Sequence, residues 1–144
     1  MKIRVAQRDD IEALYEMAVL FNDSETAATP QTIGEYLHSG QEIVFIAEND
    51  EGAIGFVTGR VGHHMCFSEP IGDILEIFVR EEHRKSGVGS RLFERIEDEF
   101  ARRGVNRLRV FTTLENGAAT GFYKSHGYVQ HETVMFRKER RVFD

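Results

Sequence analysis

The stretch from residue 74 to residue 92, ILEIFVREEHRKSGVGSRL, constrains the fold of this chain more than any other. It starts as a short apolar run, passes through a charged turn that contains Gly87 and Gly89, and becomes helical in its spacing from Ser90. A second predicted strand, RLRVFT, follows that helix. The order of strand, glycine turn, helix and strand predicts one right-handed βαβ unit over residues 74–112 with a parallel strand pair. The apolar face of the predicted helix consists of Leu92, Phe93, Ile96 and Phe100.

The rest of the chain mixes strands and helices in the same way. Alternating or continuous apolar runs predict strands at residues 2–6, 42–48 and 53–61, and the tail at 128–142 reads as one or two more. Helical spacing predicts two helices before residue 40 and a short one that ends near Gly127. This order predicts an α/β protein with a mixed sheet and helices on its faces. With no repeat or linker, we expect one domain over residues 1–144.

The length, net charge and cysteine content of the chain exclude some classes of function. The chain has 144 residues and a net charge of −6, so a general nucleic-acid role is not expected. A single cysteine allows no disulfide within the chain. The first residues carry no apolar leader and no run reaches membrane-spanning length, so we expect a cytoplasmic protein with no membrane partner.

The glycine turn has the features of an anion site. The first N–H groups of a helix lack partners within the helix and carry the positive end of its dipole, and glycines let them converge. Arg84 and Lys85 add positive charge at the rim. The pattern is not a P-loop, because the lysine precedes both glycines, and it is not GxGxxG, because position 92 is Leu. On the turn alone, a tight connection with solvated charges explains the residues equally well.

Two motifs, taken together, resemble the sequence motifs of the GNAT superfamily of N-acetyltransferases. The first is R-x-x-G-x-G, at Arg84, Gly87 and Gly89, after ILEIFVREEH. The second, about thirty residues on, is N-x-x-A-x-x-F-Y-x-x-x-G-Y, which runs from Asn116 to Tyr128. The resemblance is most specific over residues 74–128 and is only topological before them. It implies a GNAT-like fold, with a mostly antiparallel sheet, a splayed central parallel strand pair and helices on both faces.

The resemblance also implies acetyl-CoA as co-substrate and assigns residues to it. The strand that ends at Val79 would offer backbone groups to the pantetheine arm, and backbone N–H groups of the turn would bind the pyrophosphate. Asn116 would hydrogen-bond the pantetheine, although it is also placed to cap its helix. Phe122 and Tyr123 could instead be core residues. The full predicted set is Ile77, Phe78, Val79, Arg84, Lys85, Ser86, Gly87, Val88, Gly89, Ser90, Asn116, Ala119, Phe122 and Tyr123.

Acetyl transfer to an amine needs a base, a donor for the oxyanion and help for the leaving thiolate. Glu76 is the carboxylate inside the run ILEIFV and is the candidate base, directly or through water, with Asp73 as the substitute. A backbone N–H near Phe78 would serve the oxyanion. By the resemblance, the Tyr123 hydroxyl would lie near the sulfur of CoA. Glu76 could instead face solvent or pair with a neighbouring strand.

The acceptor is predicted to be an amine. In the family that the chain resembles, the loop between the first two helices and the segment after the third strand shape the acceptor site. Here they offer Asp23, Glu25 and Asp73, which suit a cation unless they are solvated surface. We therefore expect an N-acetyltransferase acting by direct attack in a ternary complex on a small cationic amine of the aminoglycoside or polyamine kind. Acetylation of a protein amine and a non-catalytic acyl-CoA-binding module remain alternatives, a homodimer stays open, and no metal is expected because the histidines lack ligand spacing.

Overall fold

The computed structural model describes residues 1–22 and 28–140, which divide into two compact units, Met1–Phe111 and Thr112–Asp144. Two single 3-10 turns lie at Arg8–Asp10 and Glu81–His83. The strands and helices are β1 (Lys2–Val5), α1 (Ile11–Asn22), α2 (Pro30–Ser39), β2 (Glu42–Asn49), β3 (Gly52–Gly62), β4 (Ile71–Val79), α3 (Val88–Arg102), β5 (Arg107–Val110) and α4 (Gly117–Ser125).

The first unit contains a five-stranded sheet whose spatial order follows the chain, from β1 to β5. The first four strands pair antiparallel, and β4 pairs with β5 in parallel. The parallel pair predicted for the βαβ unit is thereby confirmed. It extends over four residues only, from Ile71 opposite Arg107 to Ile74 opposite Val110.

Each face of this sheet carries its own apolar layer, because successive side chains of a strand point to opposite faces. On one face, Leu14 and Met17 of α1 pack with side chains of the sheet, and α2 lies beside them. The buried sheet residues of this layer are Val44, Ile46, Phe56 and Phe78. The sheet is therefore covered on this face by the first two helices.

Helix α3 covers the opposite face. The spacing Leu92, Phe93, Ile96 and Phe100 was predicted to form its apolar side, and all four side chains are fully buried. The helix lies close to the sheet because glycine faces it: a Cβ at Gly59 would be 2.5 Å from Ile96 Cδ1 and 3.0 Å from Phe100 Cζ. A larger residue at that position would force the Ile96 side chain to move.

The second unit contains α4 and the tail that follows it. Asn116 caps α4 by accepting a hydrogen bond from the Ala119 N–H at 3.1 Å, and Gly127 beyond its end has a φ of 88°. The predicted strand or strands in the tail are wrong for the described residues 128–140, which pair in no ladder. The alternating sequence provides the strand propensity, but a strand also needs a neighbour for its backbone groups, and Phe136 is 93% exposed.

No helix in the described ranges has the length and apolar character needed to cross a membrane. The prediction of one domain over residues 1–144 stays a prediction.

Candidate active site

Glu76 owes its orientation to a β-bulge in β4. Thr58 of β3 pairs with Glu76, but the next residue, Gly59, pairs with Ile74, so Leu75 is the inserted residue. In a regular strand, residues 74 and 76 would share one face of the sheet. The bulge at Leu75 interrupts this alternation and places the two residues on opposite faces. Ile74 therefore shares the α3 face with Gly59, and Glu76 shares the α1–α2 face with Thr58.

Glu76 is half-buried and lies in a cavity between the sheet and the first two helices. Its Oε1 atom accepts a hydrogen bond from the Thr58 hydroxyl at 2.9 Å. The cavity has a volume of about 310 Å³, which is at the small end of the range for small-molecule sites. Its apolar walls include Leu14, Ile33, Leu37, Val44 and Phe56.

Tyr36 of α2 also lines this cavity. Its hydroxyl is buried and has no hydrogen-bond partner of ordinary geometry among the described residues. Burial, and then the negative charges of Glu76 and Glu42, raise the pKa of Tyr36 to about 12, so the phenol is neutral at physiological pH. A buried donor without a partner costs free energy, which a ligand with a suitable polar group would recover.

Asp73 has a different environment. Its carboxylate is buried and accepts two hydrogen bonds from Arg109 of β5, from Nε at 2.8 Å and from Nη2 at 3.1 Å. A bidentate pair of this kind uses both carboxylate oxygens. The arrangement favours Glu76 over Asp73 as base, and it leaves Asp73 poorly placed to bind a cationic acceptor.

One side of β4 beyond Ile74 has no strand next to it in the first unit. Residues 76–79 pair with β3 on one side, and β5 stops at Val110, opposite Ile74. The residues predicted to contact pantetheine, Ile77, Phe78 and Val79, lie in this part of the strand, where the Val79 carbonyl accepts a hydrogen bond from Arg84 Nε at 2.8 Å. An extended ligand could hydrogen-bond to such a strand edge as a further strand would.

The predicted pyrophosphate loop joins this strand to α3. Two of its residues have positive φ angles, Lys85 at 62° and Gly87 at 87°, and Gly87 is the N-cap of α3. The helix begins at Val88, two residues before the predicted start, so Gly89 and Ser90 lie in its first turn. Left-handed residues just before a helix bring successive N–H groups together and form an anion-binding concavity.

The remaining predicted residues of the second unit belong to α4. Ala119 and Asn116 form the cap, and Phe122 and Tyr123 pack edge to face with ring centroids 5.7 Å apart. Burial raises the pKa of the Tyr123 hydroxyl, so that it holds its proton at neutral pH. The Asn116 cap is observed, and a role toward a cofactor is compatible with it because the amide N–H₂ is a separate donor.

Two of the predicted acceptor residues, Asp23 and Glu25, lie outside the described residues. No cluster of three or more potential metal ligands occurs within the described ranges. Sequence reasoning missed Tyr36 and Thr58 as members of the site. Tyr36 looked like part of an ordinary apolar helix face, and only the pairing of Thr58 with Glu76 across the bulge shows that the threonine faces the cavity.

Comparison with known proteins gives the family. The model of the acetyltransferase (GNAT) family matches residues 9–128, well over half of the chain. The protein belongs to the GNAT acetyltransferase family, and it is an acetyltransferase.

Relatives and solved structures agree with this assignment. An acetyltransferase of Yersinia pestis (strain Pestoides F) is 28% identical over 96% of this chain and 94% of its own length. The aminoglycoside acetyltransferase meta-AAC0020, from an uncultured soil metagenomic sample and in complex with sisomicin, has a TM-score of 0.85 at 17% identity, covering 97% of this chain and 96% of its own. The structure of AAC(6')-Iy with a CoA-linked bisubstrate analogue has a TM-score of 0.86 at 24% identity, with 97% and 98% covered. These structures establish the GNAT fold, as the resemblance implied.

Proposed function

We propose that the protein transfers the acetyl group of acetyl-CoA to a primary amine of a small cationic acceptor. The observation that carries this proposal is the position of Glu76, a half-buried carboxylate that β4 turns into a ligand-sized cavity in a chain of the GNAT family. The same strand leads directly into the glycine loop and the N-terminus of α3, which suit a pyrophosphate. Two solved structures of similar fold, two crystal forms of AAC(6')-Iy, contain CoA.

In the proposed mechanism, the amine attacks the thioester carbonyl directly in a ternary complex. Glu76 accepts the proton that the amine loses, directly or through one water molecule. A backbone N–H near Phe78 donates to the carbonyl oxygen as negative charge develops there. By the family resemblance, Tyr123 donates its hydroxyl proton to the departing sulfur, so that the products are the N-acetyl amine and CoA thiol.

Solved structures of similar fold support two kinds of acceptor. Structures named as aminoglycoside acetyltransferases support an amine-bearing small molecule. A ribosomal-protein-alanine N-acetyltransferase from Brucella melitensis, with a TM-score of 0.81 at 14% identity, keeps a protein amine as the second candidate. The half-buried carboxylate in a cavity favours catalysis over a non-catalytic acyl-CoA-binding module.

A direct test measures acetyl-CoA binding by calorimetry and CoA thiol release with a panel of amines and peptide N-termini. We expect binding together with amine-dependent release, and the N-acetyl product by mass spectrometry. Binding without turnover on any amine or peptide would instead support the non-catalytic module. Turnover only on peptides would support the protein-amine alternative.

A further inference from the structure

We propose that the acceptor carries its reactive amine on an apolar carbon body, with one ring or branched chain and a single positive charge. This inference rests on the proposed function and names the substrate class of the same site. It separates such monoamines from aminoglycosides and polyamines, which carry several ammonium groups.

The charge of the cavity supports one ammonium group. Among the described residues that line it, Glu76 is the one charged side chain, and Thr58 donates to one of its oxygens. A single buried ammonium beside Glu76 would be paired. Each further ammonium in this cavity would lose its hydration without a counter-charge from the described lining residues, which is far more costly than burying carbon.

The shape and lining of the cavity support an apolar body. Its volume of about 310 Å³ is about twice that of the 150 Å³ apolar cavity that binds benzene in an engineered protein, and therefore has room for one ring and a short chain. The walls from α1 and α2 include Leu14, Ile33 and Leu37, and those from the sheet include Val44 and Phe56. Hydroxyl groups of a sugar would find few partners on these walls, whereas methylene groups would be buried from water.

The polar groups of the cavity suit the amine end of the ligand. Thr58 and Glu76 are joined by a hydrogen bond, and the buried Tyr36 hydroxyl is close enough to Glu76 to sense its charge. An ammonium donates three hydrogen bonds, so Glu76 and the Tyr36 oxygen can both accept from it. This contact would give the oxygen of the Tyr36 hydroxyl a hydrogen-bond donor, which it lacks among the described residues.

The test compares two sets of acceptors with acetyl-CoA in excess. The first set is n-propylamine, n-butylamine, n-pentylamine and 2-phenylethylamine, and the second is spermidine and the aminoglycoside sisomicin. We expect kcat/KM to rise about fourfold per methylene in the alkyl series, as burial of one CH₂ predicts. We expect 2-phenylethylamine to exceed spermidine and sisomicin at least tenfold.

A variant that fills part of the cavity tests whether the acceptor preference arises there. Ala18 of α1 lines the cavity, and Ala18→Leu would fill part of it. We expect kcat/KM for 2-phenylethylamine to fall at least tenfold while that for n-propylamine changes less than threefold. The matched control is Ala13→Leu, the same change at a half-buried position of the same helix that does not line the cavity. It should leave both acceptors within threefold of the wild type.

The outcomes separate this inference from the proposed function. A higher kcat/KM for spermidine or sisomicin than for 2-phenylethylamine would overturn the apolar acceptor and leave N-acetyl transfer to amines standing. An equal loss for n-propylamine and 2-phenylethylamine in Ala18→Leu would also overturn it. Absence of transfer to every amine in either set would overturn both.

Discussion

At the scale of single residues, the site depends on three side chains that meet in the cavity of the first unit. Thr58 holds one oxygen of Glu76 by a hydrogen bond, and Tyr36 places a neutral hydroxyl nearby. None of the three belongs to a motif with fixed spacing, because they come from α2, β3 and β4. Their roles can be separated by substitutions that keep size and remove one polar group.

Glu76→Gln keeps the shape of the side chain and removes the base. We expect kcat/KM for the amine to fall by about 10²–10⁴-fold at neutral pH and by less at high pH, where amines lose their proton unaided. A pH–rate profile of both proteins measures this. Glu12→Gln, at an exposed position of α1, is the control for the loss of one negative charge. A variant profile that runs parallel to the wild type at all pH values would show that Glu76 is not the base.

Tyr123→Phe tests the departure of the thiolate. The ring stays, so packing in the second unit should be preserved, and only the hydroxyl proton is lost. Because a thiolate leaves fairly well without help, we expect kcat to fall on the order of ten- to a thousandfold. KM for acetyl-CoA should stay nearly constant if the hydroxyl interacts more strongly in the transition state.

The control for that experiment is Tyr128→Phe, which removes a second phenol from the same unit. Its kcat should stay within a few-fold of the wild type. If Tyr123→Phe raises KM with kcat intact, Tyr123 binds the co-substrate and does not act on the sulfur.

At the scale of elements, the best-predicted parts are those with strong local patterns. Helix α3 was recognisable from its apolar spacing, and the parallel strands around it followed from their order. The start of β4 at Ile71 was not predicted, because Gly72 and Asp73 interrupt the apolar run. Both residues fit into the strand through contacts with residues that are distant in sequence. The bulge at Leu75 could not be predicted either, since its position depends on pairing with β3.

The anion site at the start of α3 gives a prediction at this scale. Gly89→Glu would place a side chain and a negative charge in the first turn, where the pyrophosphate is proposed to bind. We expect the affinity for acetyl-CoA to fall at least tenfold, or about 1.4 kcal/mol, in calorimetry.

The matched control is Asn106→Glu, which adds the same charge at an exposed position past the other end of α3. That helix has 15 residues and therefore spans about 22 Å. Asn106→Glu should bind acetyl-CoA like the wild type. Equal affinity for Gly89→Glu and the wild type, with the fold intact, would refute the loop assignment.

At the scale of the whole molecule, one arginine connects the segment before the first helix to the first two strands of the sheet. Arg4 of β1 donates to both oxygens of Asp10 at 2.8 Å and also pairs with Glu48 of β2. Asp10 is buried and also accepts from the Gln7 N–H at 2.7 Å. The network connects the segment before α1 to two strands, so its loss should affect stability rather than chemistry.

This network predicts an acid-dependent stability. Hydrogen bonds from Arg4 hold the pKa of Asp10 below its usual range. Its contribution is therefore fully present above the unfolded value of about 3.9 and is lost as the pH falls through the lower folded value. We expect Asp10→Asn to lower the free energy of unfolding by about 1–3 kcal/mol at pH 7, measured by urea denaturation.

The same variant should show a weaker fall in stability below pH 4 than the wild type, because the titrating group is gone. Asp9→Asn, at the exposed neighbouring position, is the control and should change neither the stability at pH 7 nor its acid dependence. An Asp10→Asn protein as stable as the wild type at pH 7 would contradict the role of the network.

The inserted residue at Leu75 has a consequence for how such a site can change during evolution. Deleting Leu75 would leave Ile74 opposite Gly59 and Glu76 opposite Thr58 in a regular ladder, so the carboxylate would stay on the cavity face of the sheet. The bulge can therefore absorb the loss of one residue without loss of the base. Divergence among proteins with this strand should be sought in gap placement as well as in residue identity.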